Sequence, residues 1–265
     1  MKAINELEVN NMNGTSSTKS SGGAASAAAK QQPAPQPVTQ PTAPPAAQAA
    51  PPAPSNAPVS YGTLTDADAA ALAKLPSYSD PDVTTARKLY ISDSNPNGDG
   101  YSHAQNLNYK LDNGIPLNPT EQFIEDNLQY GMHSIGKDVK LVRYCHDDIL
   151  KSMGIKDYSK MSQAQLQSAL VGKTGRTTSY LSTSYDAKKS PFAPGQPLGG
   201  GREVVLNVNA GRNTQAMLGA KKQAEVVVNK GTNFRVTGIR YDGSSATPRG
   251  SSRAKPRVVV DIETY

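Results

Sequence analysis

From Leu64 to about Ile135 the apolar positions recur at helical spacing; from Val139 onward they mostly alternate, as half-buried strands do. Thr65 with Asp68 three residues on predicts a helix through Leu72 and Leu75, stopped at Pro76. Asp80-Pro81 places an N-cap before a proline at the first helical position, and Val83, Ala86, Leu89 and Tyr90 supply its apolar stripe. A third helix is expected over residues 102–111, closed by Asn113-Gly114. A longer one opens at Asn118-Pro119, with Phe123, Ile124, Leu128 and Met132 on one face. Ser162 with Gln165 forms a capping box, Met161 and Leu166 a hydrophobic staple, for a later helix ending near Gly172. Strands are predicted over residues 139–144, 179–184, 203–208, 224–228, 234–239 and 257–262. Helices first and strands second imply an α+β domain, not a doubly wound parallel sheet.

Composition divides the chain of 265 residues unevenly. Residues 1–60 carry few large apolar side chains and run from a Ser/Gly stretch into a long Ala/Pro/Gln tract. Such a tail cannot bury enough apolar surface to offset the entropy of ordering it, so it is expected to be disordered. Residues 61–265 are long enough for one well-buried core, with 61–136 as a helical lobe and 137–265 as a β core. The lysine at position 2 has no apolar stretch behind it, so no signal peptide is read, and the Pro- and Gln-broken alanine tract cannot span a membrane. A soluble, monomeric chain without membrane partners is expected. Cys145 is the only cysteine, which rules out an intrachain disulfide. The net charge of +6 is read first as solubility.

Several motifs fail on their spacing. Gly172-Lys173-Thr174 ends like a phosphate-binding loop, but position 167 is glutamine. Residues 93–98 imitate half a calcium loop whose twelfth position is Ala104 rather than a bidentate glutamate, so a turn is expected. Gly199-Gly200-Gly201 leads into a strand and reads as a loop. Cys145 and His146 are strand neighbours that point oppositely, and His103, His133 and His146 lack zinc-ligand spacing; no metal is expected.

Three pieces remain, in order: Leu141-Val142-Arg143; Tyr180-Leu181-Ser182-Thr183-Ser184; and the run from Gln223-Ala224-Glu225 through Gly231-Thr232-Asn233-Phe234-Arg235-Val236. Together they resemble the Arg–Ser–Glu class of mono-ADP-ribosyltransferases, of bacterial-toxin or phage type, over about residue 139 to the C-terminus. The resemblance implies two antiparallel sheets forming a split core beside the helical lobe, with NAD, as co-substrate, in the cleft between the sheets. It implies that Arg143 contacts the NAD phosphate and ribose, that Ser182 braces Glu225, and that Glu225 bonds the ribose hydroxyl and stabilises the cation left when nicotinamide departs. A guanidinium suits a diphosphate, and a carboxylate suits an oxocarbenium-like ribose. Thr183, Ser184 and, through its backbone, Tyr144 are expected to contact NAD as well, with Phe192 over the nicotinamide. Gln223, two positions before Glu225, would share its strand face if the strand has begun there. A glutamine here resembles the C3-type enzymes, whose acceptor is asparagine, and favours a non-arginine acceptor. The family often has glycine after the strand arginine, where Tyr144 stands, and an aromatic in the target turn, where residues 211–222 have none.

Taken singly, each residue has a plainer role. Arg143 reads as an ion-paired strand residue, Ser182 and Thr183 as turn hydrogen-bonders, Glu225 as an edge charge, and Phe192 as loop packing. Their joint occurrence favours the enzyme. Two other readings stand beside it: a non-catalytic binding or phage structural module, and a nucleic-acid-binding protein using the basic run 243–257, which is otherwise a hairpin connection. The acceptor is expected to be a protein, with nucleic acid as the second choice, reached in a target cell's cytoplasm.

Overall fold

The four N-terminal helices each start where a side chain satisfies an unpaired backbone N–H, a cap that contributes about 1 kcal/mol. Thr65 and Asp68 cap α1 (Asp66–Leu72) reciprocally. Asp80 accepts from Asp82 and Val83 at the head of α2 (Pro81–Ile91). Ser102 with Gln105 starts α3 (His103–Asp112), and Asn118 with Glu121 starts α4 (Pro119–Gly131). The sequence marks the first two by Thr65 with Asp68 and Asp80 before Pro81, the third by its Asn113-Gly114 close and the fourth by Asn118-Pro119. A short α5 (Asp148–Ser152) and α6 (Gln163–Leu170), the latter capped by Ser162 and Gln165, follow. The computed structural model describes residues 61–92, 94, 96, 98, 100–194, 196, 201–247 and 252–265; the expected tail 1–60, much of the turn at 93–98, Gly199, Gly200 and Arg249 lie outside them.

The strands are β1 (Gly62–Thr63), β2 (His133–Ser134), β3 (Val139–Cys145), β4 (Thr174–Arg176), β5 (Leu181–Ser184), β6 (Val204–Ala210), β7 (Gln215–Leu218), β8 (Glu225–Val228), β9 (Asn233–Ala246) and β10 (Lys255–Thr264). Their order is β2-β7-β8-β5-β3-β6-β10-β9-β4, with β1 beside β3. Only one residue pair, Val142 opposite Ser184, joins β3 to β5. The ten-stranded ladder is therefore pinched at this seam to a single residue pair, which divides it into two part-sheets. In β2-β7-β8-β5 every pairing is antiparallel. In the other sheet β6 and β10 run parallel and the remaining pairs on the path antiparallel. This is the α+β architecture expected, with two parallel pairs inside it, β6 with β10 and β1 with β3.

Alternation along β5 and β8 assigns each side chain to one of two cores. Leu181, Val226 and Val228 join the main core with Leu206, Val260 and Phe234. Tyr180 and Val227 point the other way, into a second core with Tyr90, Leu107, Ile124 and Leu128. The helical lobe thus shares a core with the sheet. Sequence periodicity missed β1, β2, β4, β7 and α5, which are two to five residues long and too short to show a repeat. It also ended the penultimate strand at residue 239, whereas β9 runs on to Ala246 through exposed Asp242, Gly243 and Ser244, paired with the start of β10.

Candidate active site

The face that carries Tyr180 and Val227 also carries Ser182, Ser184 and Glu225. Ser184 stands directly opposite Glu225, and Ser182 opposite Val227, one step along the same face. Across the seam, β3 supplies Arg143 on the face of Leu141 and Cys145, which buries its Nε without any hydrogen-bond partner. Its Nη1 donates to the Ser182 carbonyl at 2.7 Å, so the arginine spans the seam between the sheets.

A cavity of about 540 Å³ opens there, within the size range of small-molecule sites. Arg143, Tyr144, Ser182, Thr183, Ser184, Phe192, Gln223 and Glu225 all line it, together with Tyr90 and Ile91 from α2 and Ser102, Gln105 and Asn108 from the start of α3. The eight residues proposed from the sequence are thus brought together, between the sheet seam and the helical lobe. Glu225 accepts from the Ala220 N–H at 2.8 Å, which fixes one carboxylate oxygen. β8 lies between β7 and β5, so Glu225 is not an edge charge.

Two expectations change in detail. Gln223 does not share a strand face with Glu225: it ends a 3-10 turn (Lys221–Gln223), and Ala224 follows with a left-handed φ of 49°. The period-two argument fails because the strand begins only at Glu225; Gln223 reaches the cavity from the turn instead. Thr183 borders the cavity, but its hydroxyl donates to the Val226 carbonyl at 2.7 Å on the opposite face from Ser182.

The structure adds four residues. Tyr90, read from its spacing as part of an apolar stripe, is fully buried with its hydroxyl held by Asn108 Nδ2 at 3.0 Å and by the Ser182 side chain. Burial pushes its pKa up to about 12, the nearby Glu225 charge adding to the rise, so it stays a neutral phenol. Asn108 was the visible signal: an amide on the buried face of a helix beside Leu107 and Leu111 demands a partner. Arg202 has its guanidinium 4.5 Å from the centre of the Phe192 ring, and burial first, then the like charge of Arg143, holds its pKa below the ordinary guanidinium value. Among the described residues no carboxylate forms an ion pair with Arg143 or Arg202. Gly219 lies against Glu225 so closely that an added Cβ would collide with the carboxylate. Because the colliding atoms end a flexible side chain, Gly219→Ala is expected to leave Tm within about 3 °C yet reduce activity at least about tenfold by turning Glu225 aside. Thermal melts beside a rate assay check this; full activity in the variant contradicts it.

Neighbouring groups serve the fold. Burial pushes the Cys145 thiol up to about 11, which leaves no thiolate for nucleophilic work at neutral pH. His146 Nδ1 pairs with the buried Glu203 at 3.0 Å. In the basic run, Lys255 binds Asp147 at 2.7 Å, and Arg257 is buried, with Nε on the Arg202 carbonyl at 3.1 Å. Among the described residues, no group of three or more His, Cys, Asp or Glu side chains is placed to hold a metal, and no helix is long and apolar enough to cross a membrane.

Residues 101–263 match the family model described as ADP-ribosyltransferase exoenzyme. Among solved structures, the chain is similar to Plx2a, an ADP-ribosyltransferase toxin from Paenibacillus larvae, at 15% identity and a TM-score of 0.51 over 75% of this chain and 92% of that one. It is similar to the C3 exoenzyme of Clostridium limosum at 15% identity and a TM-score of 0.51, over 78% of this chain and 98% of that one. The C3larvin toxin, an ADP-ribosyltransferase from Paenibacillus larvae, gives 13% identity and a TM-score of 0.52 over 77% and 95%. At such identities these three likenesses are of fold. No curated protein sequence matches the chain.

Proposed function

The chain belongs to the ADP-ribosyltransferase exoenzyme family, and on that premise we propose that it cleaves NAD at the nicotinamide–ribose bond in this cavity and passes the ADP-ribose to an asparagine-type acceptor on a macromolecule. The observation that best supports this is the convergence of Arg143, Ser182 and Glu225, far apart in sequence, on one cavity. Residues 61–265 act as a single domain, with residues 1–60 as a tail.

Each residue has a role in this reading. Arg143 and Arg202 repel one another, and among the described residues no carboxylate pairs with either, an arrangement suited to a diphosphate. Phe192, with Arg202 against its ring, offers a surface for the nicotinamide; Tyr144, Thr183 and Ser184 complete the wall. Glu225 bonds a ribose hydroxyl and stabilises positive charge as the C–N bond breaks, its electron pair leaving with nicotinamide. The acceptor nitrogen then forms the new bond to the ribose carbon and loses a proton. Ser182 steadies this end of the cavity through Tyr90 and the Arg143 contact. The neutral amide of Gln223 matches an amide acceptor, whereas a carboxylate there would favour a guanidinium. The reading uses no metal ion. In the same reading the chain acts in a target cell; the solved structures of similar fold include toxins.

The test is nicotinamide release from NAD by the full chain and by Glu225→Ala. Release by the wild type and background from the variant are expected; background from both, with lysate supplied as acceptor, removes the reading in favour of a binding module. Agmatine, an arginine analogue, is expected to remain unmodified, and its ready modification would overturn the acceptor assignment.

A further inference from the structure

We infer that the surface beside Gln223 is a docking face for an acidic protein, formed by Lys188, Lys221 and Lys222. The inference rests on the transferase reading and names the class of acceptor that the site receives. Lys188 belongs to the 3-10 turn Ala187–Lys189 that follows β5, and Lys221 and Lys222 to the turn that ends at Gln223. The two turns are fastened together: Ser184 Oγ donates to the Gln223 carbonyl at 2.8 Å, and the Tyr185 N–H to the Ala224 carbonyl at 3.0 Å. Lysines from two distant stretches of sequence therefore gather at the rim where Gln223 lines the cavity.

Their charges are unequal in use. Lys189 lies 3.6 Å from Asp66 and 3.8 Å from Asp186. Lys188, Lys221 and Lys222 are exposed and form no ion pair among the described residues. Fixed like charges at a cavity mouth steer an oppositely charged partner and set its orientation. Carboxylates on a protein suit this surface better than a nucleic-acid backbone does. Asp66 and Asp186 stand among the lysines and would repel continuous phosphates. No aromatic occurs in residues 187–189 or 211–222 for a base to stack on, and the nearby Tyr185 packs on the main core with its hydroxyl bonded to Asp66.

The test compares the full wild-type chain with the Lys188→Glu/Lys221→Glu/Lys222→Glu triple variant, and with the corresponding triple Gln variant as the milder change. Two quantities are read: nicotinamide release without acceptor, and transfer of tagged ADP-ribose from NAD to lysate protein. Release is expected to stay within about twofold of wild type in both variants, since none of these lysines lines the cavity. Protein labelling is expected to fall at least about tenfold in the Glu variant and less in the Gln variant. In the wild type, added poly-L-glutamate and rising NaCl are expected to suppress labelling, because exposed charges are screened within about 10 Å at 0.1 M salt. Labelling unchanged in the Glu variant overturns the docking face while leaving the transferase reading intact. Label recovered in nuclease-sensitive material overturns it in favour of nucleic acid. Absence of release by the wild type defeats the transferase reading itself.

Discussion

Glu225→Gln is expected to lower the rate of nicotinamide release by about 10²–10³-fold while leaving the fold in place. The amide oxygen of glutamine can still accept from the Ala220 N–H, the contact that fixes the wild-type carboxylate at 2.8 Å. Shape and anchoring are kept; the negative charge is lost. A single preorganised group facing charge that develops in a transition state typically accounts for about 2.7–4 kcal/mol, which gives that fall. The checks are kcat for NAD cleavage and a thermal melt, with Tm expected within about 3 °C of wild type. A variant within tenfold of the wild-type rate would remove Glu225 from the chemistry.

Arg143→Lys is expected to weaken NAD binding by about 10–100-fold despite conserving the charge. The guanidinium here has two duties that a single ammonium cannot share. Nη1 holds the Ser182 carbonyl across the seam, and the same side chain belongs to the cavity lining. The buried Nε makes no hydrogen bond among the described residues. A lysine that keeps the Ser182 contact leaves the diphosphate with Arg202 alone. Titration calorimetry with NAD checks this, and unchanged affinity would show that the arginine only braces the sheets.

The helices were legible because their ends are written in short-range chemistry: Thr65 with Asp68, Asp80 before Pro81, Asn113-Gly114 and Asn118-Pro119 each act within a few residues. The catalytic candidates were legible through three short pieces whose order resembles the family, and pairing of β5 with β8 then puts Ser182 and Glu225 on one face. What escaped depends on long-range packing. Tyr90 has the spacing of a core residue and is one, yet its hydroxyl belongs to the site. Arg202 sits next to a Gly-rich stretch that read as a simple loop, and only the packing of Phe192 against it exposes a second cation. The misplaced face of Gln223 came from a left-handed residue, Ala224, which no periodicity announces because such backbone usually goes to glycine.

A crystal structure of the chain with a non-cleavable NAD analogue addresses the central claim most directly. The account predicts the dinucleotide in the cavity between the helical lobe and the seam, its diphosphate beside Arg143 and Arg202 and its nicotinamide ribose against Glu225. An analogue bound elsewhere, or bound here with the ribose turned away from Glu225, would contradict it.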